Sequence, residues 1–127
     1  ISVVLVTNAP RPAAVIEQQL DGFGVPRAAW DAIVTSGDVC RGLIAARAGR
    51  PMFRLGPERD KPIFAGLDVR FGELDEADYV VCSGLRDDER ETVEDHRAAL
   101  ALMRERALWM LCANPDLVVE RGHQLIV

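Results

Sequence analysis

The chain is poor in cysteine and histidine, and this scarcity excludes several kinds of site. Its three cysteines, Cys40, Cys82 and Cys112, stand far apart with no paired spacing. An odd number of cysteines in or beside apolar segments predicts buried free thiols and a reducing compartment, the cytoplasm. The two histidines, His96 and His123, have no ligand spacing to a cysteine. A zinc site is therefore not expected, and since no acidic pair resembles a catalytic metal site, no metal-binding residue is expected in the chain.

Long apolar runs and an excess of positive charge are also missing. No stretch approaches the roughly 18 apolar residues that would cross a membrane, and residues 3–6 lack the length and cationic flank of a signal peptide. The formal net charge is -5, with arginines scattered among acids, so a nucleic-acid partner is not expected. With 49% hydrophobic and 28% charged residues, the composition is that of an ordinary globular domain.

Short apolar runs alternate with amphipathic segments along the chain. The runs predict strands at residues 3–6, 32–35, 52–55, 79–82 and 108–112, and those at 3–6 and 79–82 are expected to be buried. The intervening segments predict helices at residues 12–23, 36–48, 61–65 and 89–107. Ser36 is expected to cap the second helix, and Asp88 with Glu91 resembles a capping box for the last one; residues 66–77 are expected to be loop. This order predicts an α/β fold with a largely parallel sheet.

Small polar side chains follow each predicted strand, at the edge where open parallel sheets bind ligands. They occur at residues 7–8, 36–38, 56–60, 83–84 and 114–116. Thr7 and Asn8 are the best candidates, because a hydroxyl and backbone amides at a strand end suit an anion such as phosphate. Local turn chemistry is the competing interpretation. Asn114 and Asp116, on either side of the rigid Pro115, fit a turn and a site equally well.

Other candidate motifs are weaker or missing. The acids at residues 87–91 are expected to be a solvated helix start, because the helix macrodipole favours acids there. The chain contains no GxxxxGK loop, no GxGxxG loop and no nucleophile elbow with a Ser-His-Asp set. The residues by themselves support an α/β domain with a capacity to bind a phosphorylated ligand.

Five segments in order carry a family resemblance: VVLVTNAPRP, GVPRAAWDAIVTSGD, FRLGPERD, ADYVVCSGLRDDERETVEDH and MLCANPDLVVERG. Together they resemble the class IIA branch of the haloacid dehalogenase (HAD) superfamily, which holds sugar-phosphate, nitrophenyl-phosphate and pyridoxal-phosphate-type phosphatases. The resemblance implies an α/β architecture with a partial Rossmann-like HAD core at residues 1–48 and an inserted α/β cap at residues 49–112. Residues 113–127 would return to the core.

The same resemblance implies roles for single residues. Thr7 would be the second-motif residue that hydrogen-bonds the transferring phosphoryl group, with Asn8 beside it. Arg11, Asn114 and Asp116 are candidates for the substrate cleft. The activity implied is magnesium-dependent hydrolysis of a small phosphorylated metabolite through an aspartyl-phosphate.

Three motifs of such enzymes are not found in these 127 residues: the DxDG motif, a GKP-type lysine motif and a GDxxxTD-type acidic motif that binds magnesium. The chain is therefore expected to be an internal piece of a longer phosphatase, inactive by itself and without bound magnesium. A non-catalytic α/β ligand-binding or regulatory module, or another phosphoryl-transfer or isomerase enzyme of the superfamily, are the alternatives. A strand at residues 3–6 without a neighbour would favour a homodimer or higher assembly, or a core remnant packed onto the cap in a non-native way.

Overall fold

The computed structural model describes residues 1–87, 89–116, 118–121 and 124–126. Its helices and strands in chain order are β1 (Val4–Thr7), α1 (Ala13–Gly22), β2 (Ala32–Thr35), α2 (Ser36–Ala45), β3 (Pro51–Leu55), β4 (Arg70–Phe71), β5 (Tyr79–Cys82), α3 (Arg97–Glu105), β6 (Trp109–Cys112), β7 (Val119–Arg121) and β8 (Gln124–Ile126). Short 3-10 helices lie at Arg27–Ala29, Glu58–Phe64 and Val93–His96. The helices in these ranges fall short of the length and apolarity that a membrane crossing needs.

A four-stranded parallel sheet in the order β4-β3-β5-β6 contains most of the core. β5 lies inside it, and Tyr79, Val80 and Val81 are at most 2% exposed. Burial on both faces explains why this strand is a continuous apolar run in the sequence. On one face of the sheet, α2 and the 3-10 helix Glu58–Phe64 supply Cys40, Ile44 and Ile63 to the core. A separate helix, α3, contributes the buried Met103. The predicted α/β fold with parallel sheets is confirmed.

A smaller parallel sheet pairs β1 with β2, with Val4 opposite Ala32 and Thr7 opposite Thr35. α1 connects the two strands and packs on β2. Pro12 precedes α1 in an extended conformation, a position where its missing N–H is harmless. The prediction of a strand at residues 3–6 without a neighbour is wrong, because β2 pairs with it. Self-association stays a prediction, which light scattering can test.

The prediction that the strand at residues 3–6 is buried is also wrong. Val4 is 52% exposed and Val6 78% exposed. Side chains two residues apart in a strand share a face, so both belong to a face that no described element covers. Their apolar character predicts a strand correctly, whereas burial depends on what packs against it.

The single long helix predicted at residues 89–107 is wrong. The structure places the 3-10 helix Val93–His96 before α3 instead. Thr92 and Asp95 form the capping box: the Thr92 backbone N–H donates to Asp95 Oδ2 at 2.8 Å. The predicted box included Asp88, which lies outside the described residues. Glu91 turns back to the loop and accepts from the Arg86 backbone N–H at 2.7 Å.

The cap of α2 also differs from the prediction. Thr35, not Ser36, precedes the helix, and its Oγ1 accepts from the Asp38 backbone N–H at 2.9 Å. The Thr35 side chain is the better placed of the two, because Thr35 is buried at the end of β2. This leaves the Ser36 hydroxyl available for contacts outside the helix.

Two short elements were not predicted. β4 lies within the expected loop at residues 66–77, and β7 pairs antiparallel with β8 near the end of the chain. Strands of two or three residues are too short for hydrophobic alternation to reveal them. The prediction of three buried thiols is wrong for Cys112, which is exposed, and Cys82 is partly exposed. Both are free cysteines, as is the buried Cys40.

Candidate functional site

The ends of β1 and β6 meet at the hydroxyl of Ser36, the first residue of α2. Ser36 Oγ lies 2.7 Å from the Ala113 carbonyl oxygen, 2.8 Å from that of Asn8 and 3.1 Å from that of Ala9. A serine hydroxyl has one proton to donate, so these carbonyls share a single donor. The contact ties the segment after β1 to the segment after β6. Sequence reasoning missed this role, since a helix start gives no sign of a partner 77 positions away.

Gly37 allows α2 to approach the segment after β1 closely. A Cβ at Gly37 would lie 2.5 Å from the backbone carbonyl carbon of Arg11, well inside van der Waals contact. The Gly37 backbone N–H donates to the Ala9 carbonyl at 3.1 Å. Only a residue without a side chain permits this approach. Gly37 therefore allows the start of α2 to hold the segment after β1 in its position.

Three of the predicted site residues come together at this point. The Asn8 side-chain amide donates to the Asp116 carboxylate, and the Asp116 backbone N–H donates to Asn114 Oδ1 at 3.0 Å. A hydrogen bond to a carboxylate is stronger than a neutral one. Asn8 and Asp116 are exposed, while Asn114 is half-buried. We call Thr7, Asn8, Ser36, Asn114 and Asp116 the strand-end cluster.

Thr7 occupies the last position of β1 and is half-buried. Its Oγ1 accepts a hydrogen bond from the Ala9 backbone N–H at 3.2 Å. Thr7 therefore takes part in the local turn, as the competing interpretation expected. A hydroxyl that accepts one bond still has its own proton to donate, so the same side chain can contact an oxygen of a bound anion.

The Arg11 side chain contacts α1 rather than the other predicted site residues in the described hydrogen bonds. Its guanidinium is 3.5 Å from Gln19 Oε1, a long contact along α1. No described hydrogen bond joins Arg11 to Asn8, Asn114 or Asp116. Its positive charge is near enough to act on Asp60, in the 3-10 helix that follows β3.

A second polar pair is formed by Asp60, in the 3-10 helix that follows β3, and Ser83, directly after β5. Asp60 is 4% exposed. Burial raises the pKa of its carboxyl, and a hydrogen bond from Ser83 together with the charges of nearby arginines, Arg11 among them, opposes that rise. A Cβ at Gly56 would lie 2.2 Å from Ser83 Oγ, and Gly56 has φ 155°, so glycine is required beside the pair. The sequence marked both strand ends but gave no sign that Asp60 is buried.

A metal site does not form from the residues described. In residues 1–87, 89–116, 118–121 and 124–126, no group of three or more His, Cys, Asp or Glu side chains could hold a metal ion. The strand-end cluster offers a single carboxylate, that of Asp116, and it is bonded to Asn8. These residues do not fit a magnesium ion by themselves.

Solved structures match the chain over nearly its whole length. A haloacid dehalogenase-like hydrolase from Brucella suis 1330 is 51% identical with a TM-score of 0.90, over 99% of this chain and 48% of that chain. A 4-nitrophenylphosphatase from Thermotoga maritima is 26% identical with a TM-score of 0.67, over 97% of this chain and 46% of that chain. A glycerol phosphate phosphatase from Mycobacterium tuberculosis, solved in complex with magnesium, is 23% identical with a TM-score of 0.70, over 98% of this chain and 38% of that chain. No family model and no curated protein matches the chain.

The chain belongs to the haloacid dehalogenase-like hydrolases, in the class IIA branch with nitrophenylphosphatase-like and NagD-like proteins. The resemblance found in the five sequence segments is therefore confirmed. The chain spans about half the length of the Brucella and Thermotoga proteins, at 48% and 46%.

Proposed function

We propose that the whole protein is a phosphatase that hydrolyses a small phosphate monoester, and that Thr7 donates a hydrogen bond to the transferring phosphoryl group. The observation that carries this proposal is the position of the Thr7 hydroxyl at the end of β1. One of its lone pairs is engaged by Ala9, and its proton remains available. Two matched structures, a 4-nitrophenylphosphatase and a glycerol phosphate phosphatase, support the substrate class.

The strand-end cluster would prepare this contact before substrate binds. Asn8 is held by Asp116, and the backbone on which both Thr7 and Asn8 lie is held by Ser36. Donors that are already oriented stabilise developing charge without reorganisation. In this proposal Asn8 contacts the phosphoryl group beside Thr7, and Arg11, Asn114 and Asp116 border the substrate.

We also propose the division of the chain into core at residues 1–48, cap at residues 49–112 and return to core at residues 113–127. The separate sheets support it, because β1 and β2 fall in the first segment and β3 to β6 in the second. Substrate choice would rest with the cap. The free thiols of Cys40, Cys82 and Cys112 support a reducing, cytoplasmic setting.

The rest of the reaction needs groups that these 127 residues do not supply. The proposal places the aspartate nucleophile and the magnesium ligands in other parts of the whole protein. A magnesium ion in such an enzyme stabilises the charge on phosphoryl oxygens. The 127-residue chain by itself is expected to be inactive.

Two substitutions at Thr7 test the proposal in the whole protein, with magnesium and nitrophenyl phosphate. Thr7→Val removes the hydroxyl at nearly constant shape, and kcat/KM should fall about 10- to 100-fold, as for a lost hydrogen bond to a charged group. Thr7→Ser keeps the hydroxyl and should stay within a few-fold of the native enzyme. Equal activity of the two variants, at equal thermal stability, would contradict the role of Thr7; binding of phosphate esters without hydrolysis would favour a ligand-binding module.

A further inference from the structure

A cavity of about 250 Å³ lies between β3 and α3. Phe53 and Leu55, two residues apart in β3, point into it. This face is the opposite one to that of Met52, which packs in the core with α2. Ala99, Leu100 and Met103 of α3 complete an apolar lining. An apolar cavity of about 150 Å³ is large enough to bind benzene, so this cavity has room for a small ring with a substituent.

Besides Arg86, three polar residues line this cavity, namely Glu91, Asp95 and His96, and both acids are already hydrogen-bonded within the protein. Glu91 Oε2 accepts from the Arg86 backbone N–H at 2.7 Å and lies 3.2 Å from His96 Nε2. Asp95 Oδ2 accepts from the backbone N–H and the hydroxyl of Thr92, both at 2.8 Å. Burial raises the pKa of Glu91, but hydrogen bonds from Arg86, Asp87 and His96 outweigh it, and the net shift is downward. The carboxylates of Glu91 and Asp95 are thus both held in place by hydrogen bonds to residues close to them in the sequence.

Arg86 is the exposed cation at the rim. Its guanidinium carbon lies 5.8 Å from the centre of the Phe53 ring, within the distance of a cation–π contact. The backbone N–H of Arg86 is bonded to Glu91, but its guanidinium forms no ion pair with any acid in the part of the chain that the structure describes. An arginine at the mouth of such a cavity, with no acidic partner among the described residues, is suited to pair with an anion.

We propose that this cavity binds a small organic anion with an apolar ring, the ring lying on Phe53 and Leu55 and the anionic group paired with Arg86. Ligand pockets commonly combine an apolar lining with a few polar groups that set orientation, and this one has that composition. None of its lining residues belongs to the strand-end cluster. The proposal is independent of phosphatase activity, since binding here is expected whether or not the protein hydrolyses phosphate esters.

Three probes separate the contributions of ring and charge: benzoate, benzyl alcohol and acetate. Titrations of the protein followed by backbone amide NMR shifts should show saturable benzoate binding, with shifts centred on residues 53–55, 86–100 and 103. Benzyl alcohol lacks the charge and acetate lacks the ring, so each should bind at least about tenfold more weakly, a difference of about 1.4 kcal/mol. Phenylphosphonate, run in parallel, shows whether a carboxylate or a phosphate-like group is preferred.

Variants locate the binding. Arg86→Gln should weaken benzoate binding about tenfold and leave benzyl alcohol unchanged, whereas Ala99→Leu should fill the cavity and weaken both. Arg90→Gln is the matched control, because Arg90 is an exposed neighbour that faces Asp87 at 3.7 Å. Each variant is checked for a native amide spectrum. Absence of saturable binding of benzoate and phenylphosphonate, or benzoate affinity that Arg86→Gln leaves unchanged, would overturn the proposal.

Discussion

The two parallel sheets of this protein are built from similar apolar strands and differ sharply in burial. Val80 in β5 has no exposed surface, whereas Val6 in β1 is 78% exposed. The four-stranded sheet is covered by α2 and the 3-10 helix Glu58–Phe64 on one side, with α3 nearby. The two-stranded sheet leaves its Val4 and Val6 face open. A strand's sequence predicts its conformation, whereas neighbouring elements decide how much stability its side chains contribute.

The same substitution in both sheets compares them most directly. Val80→Ala removes two methyl groups from a fully buried position and should cost about 2 kcal/mol of unfolding free energy. Val6→Ala removes the same atoms from an exposed position and should cost less than about 0.5 kcal/mol. Urea unfolding of the two variants of the 127-residue chain measures both values. Equal losses would mean that the β1 face is covered in solution.

Two glycines of α2 test how closely this helix joins the two sheets. Gly37→Ala would place a Cβ 2.5 Å from Arg11 backbone and should destabilise the protein by about 1–3 kcal/mol. A Cβ at Gly42 would meet no atom within 4 Å, so Gly42→Ala should stabilise the protein by about 0.5–1 kcal/mol. Thermal melting compares them. A neutral Gly37→Ala would show that α2 is free to shift away from the segment after β1.

The end of α3 tests backbone strain rather than burial. Ala107 has φ 49°, a left-handed conformation, and the Leu108 N–H donates to the Met103 carbonyl at 2.9 Å, as in a glycine-terminated helix. Ala107→Gly should therefore stabilise the protein by up to about 1 kcal/mol. Ala101→Gly, in the exposed middle of α3, should cost about 1 kcal/mol. If both variants lose stability equally, the strain at Ala107 is absent in solution.

Much of the fold follows from local sequence. Strands β1, β2, β3, β5 and β6 are predictable to within a residue or two, because each is an apolar run bounded by turn residues. The parallel arrangement follows from their alternation with helices. The helix predicted at residues 89–107 is too long. Its hydrophobic spacing continues across Thr92, where the capping box begins the 3-10 helix Val93–His96.

The candidate site is predictable in part. The rule that polar residues gather at the carboxyl ends of parallel strands brings Asn8, Asn114 and Asp116 together, as the structure shows. Ser36 and Asp60 escape sequence reasoning because their roles depend on contacts and burial between segments distant in sequence. The cavity at Phe53 and Arg86 escapes it for the same reason.

A double-mutant cycle on Asn8 and Asp116 tests the central claim most directly, that the ends of β1 and β6 act as one phosphate-contacting site. In the whole protein, Asn8→Ala and Asp116→Ala should each lower kcat/KM for nitrophenyl phosphate about tenfold. Because the two side chains share one hydrogen bond, the double variant should be about as active as the less active single variant. Losses that multiply, or single variants as active as the native enzyme, would contradict the account.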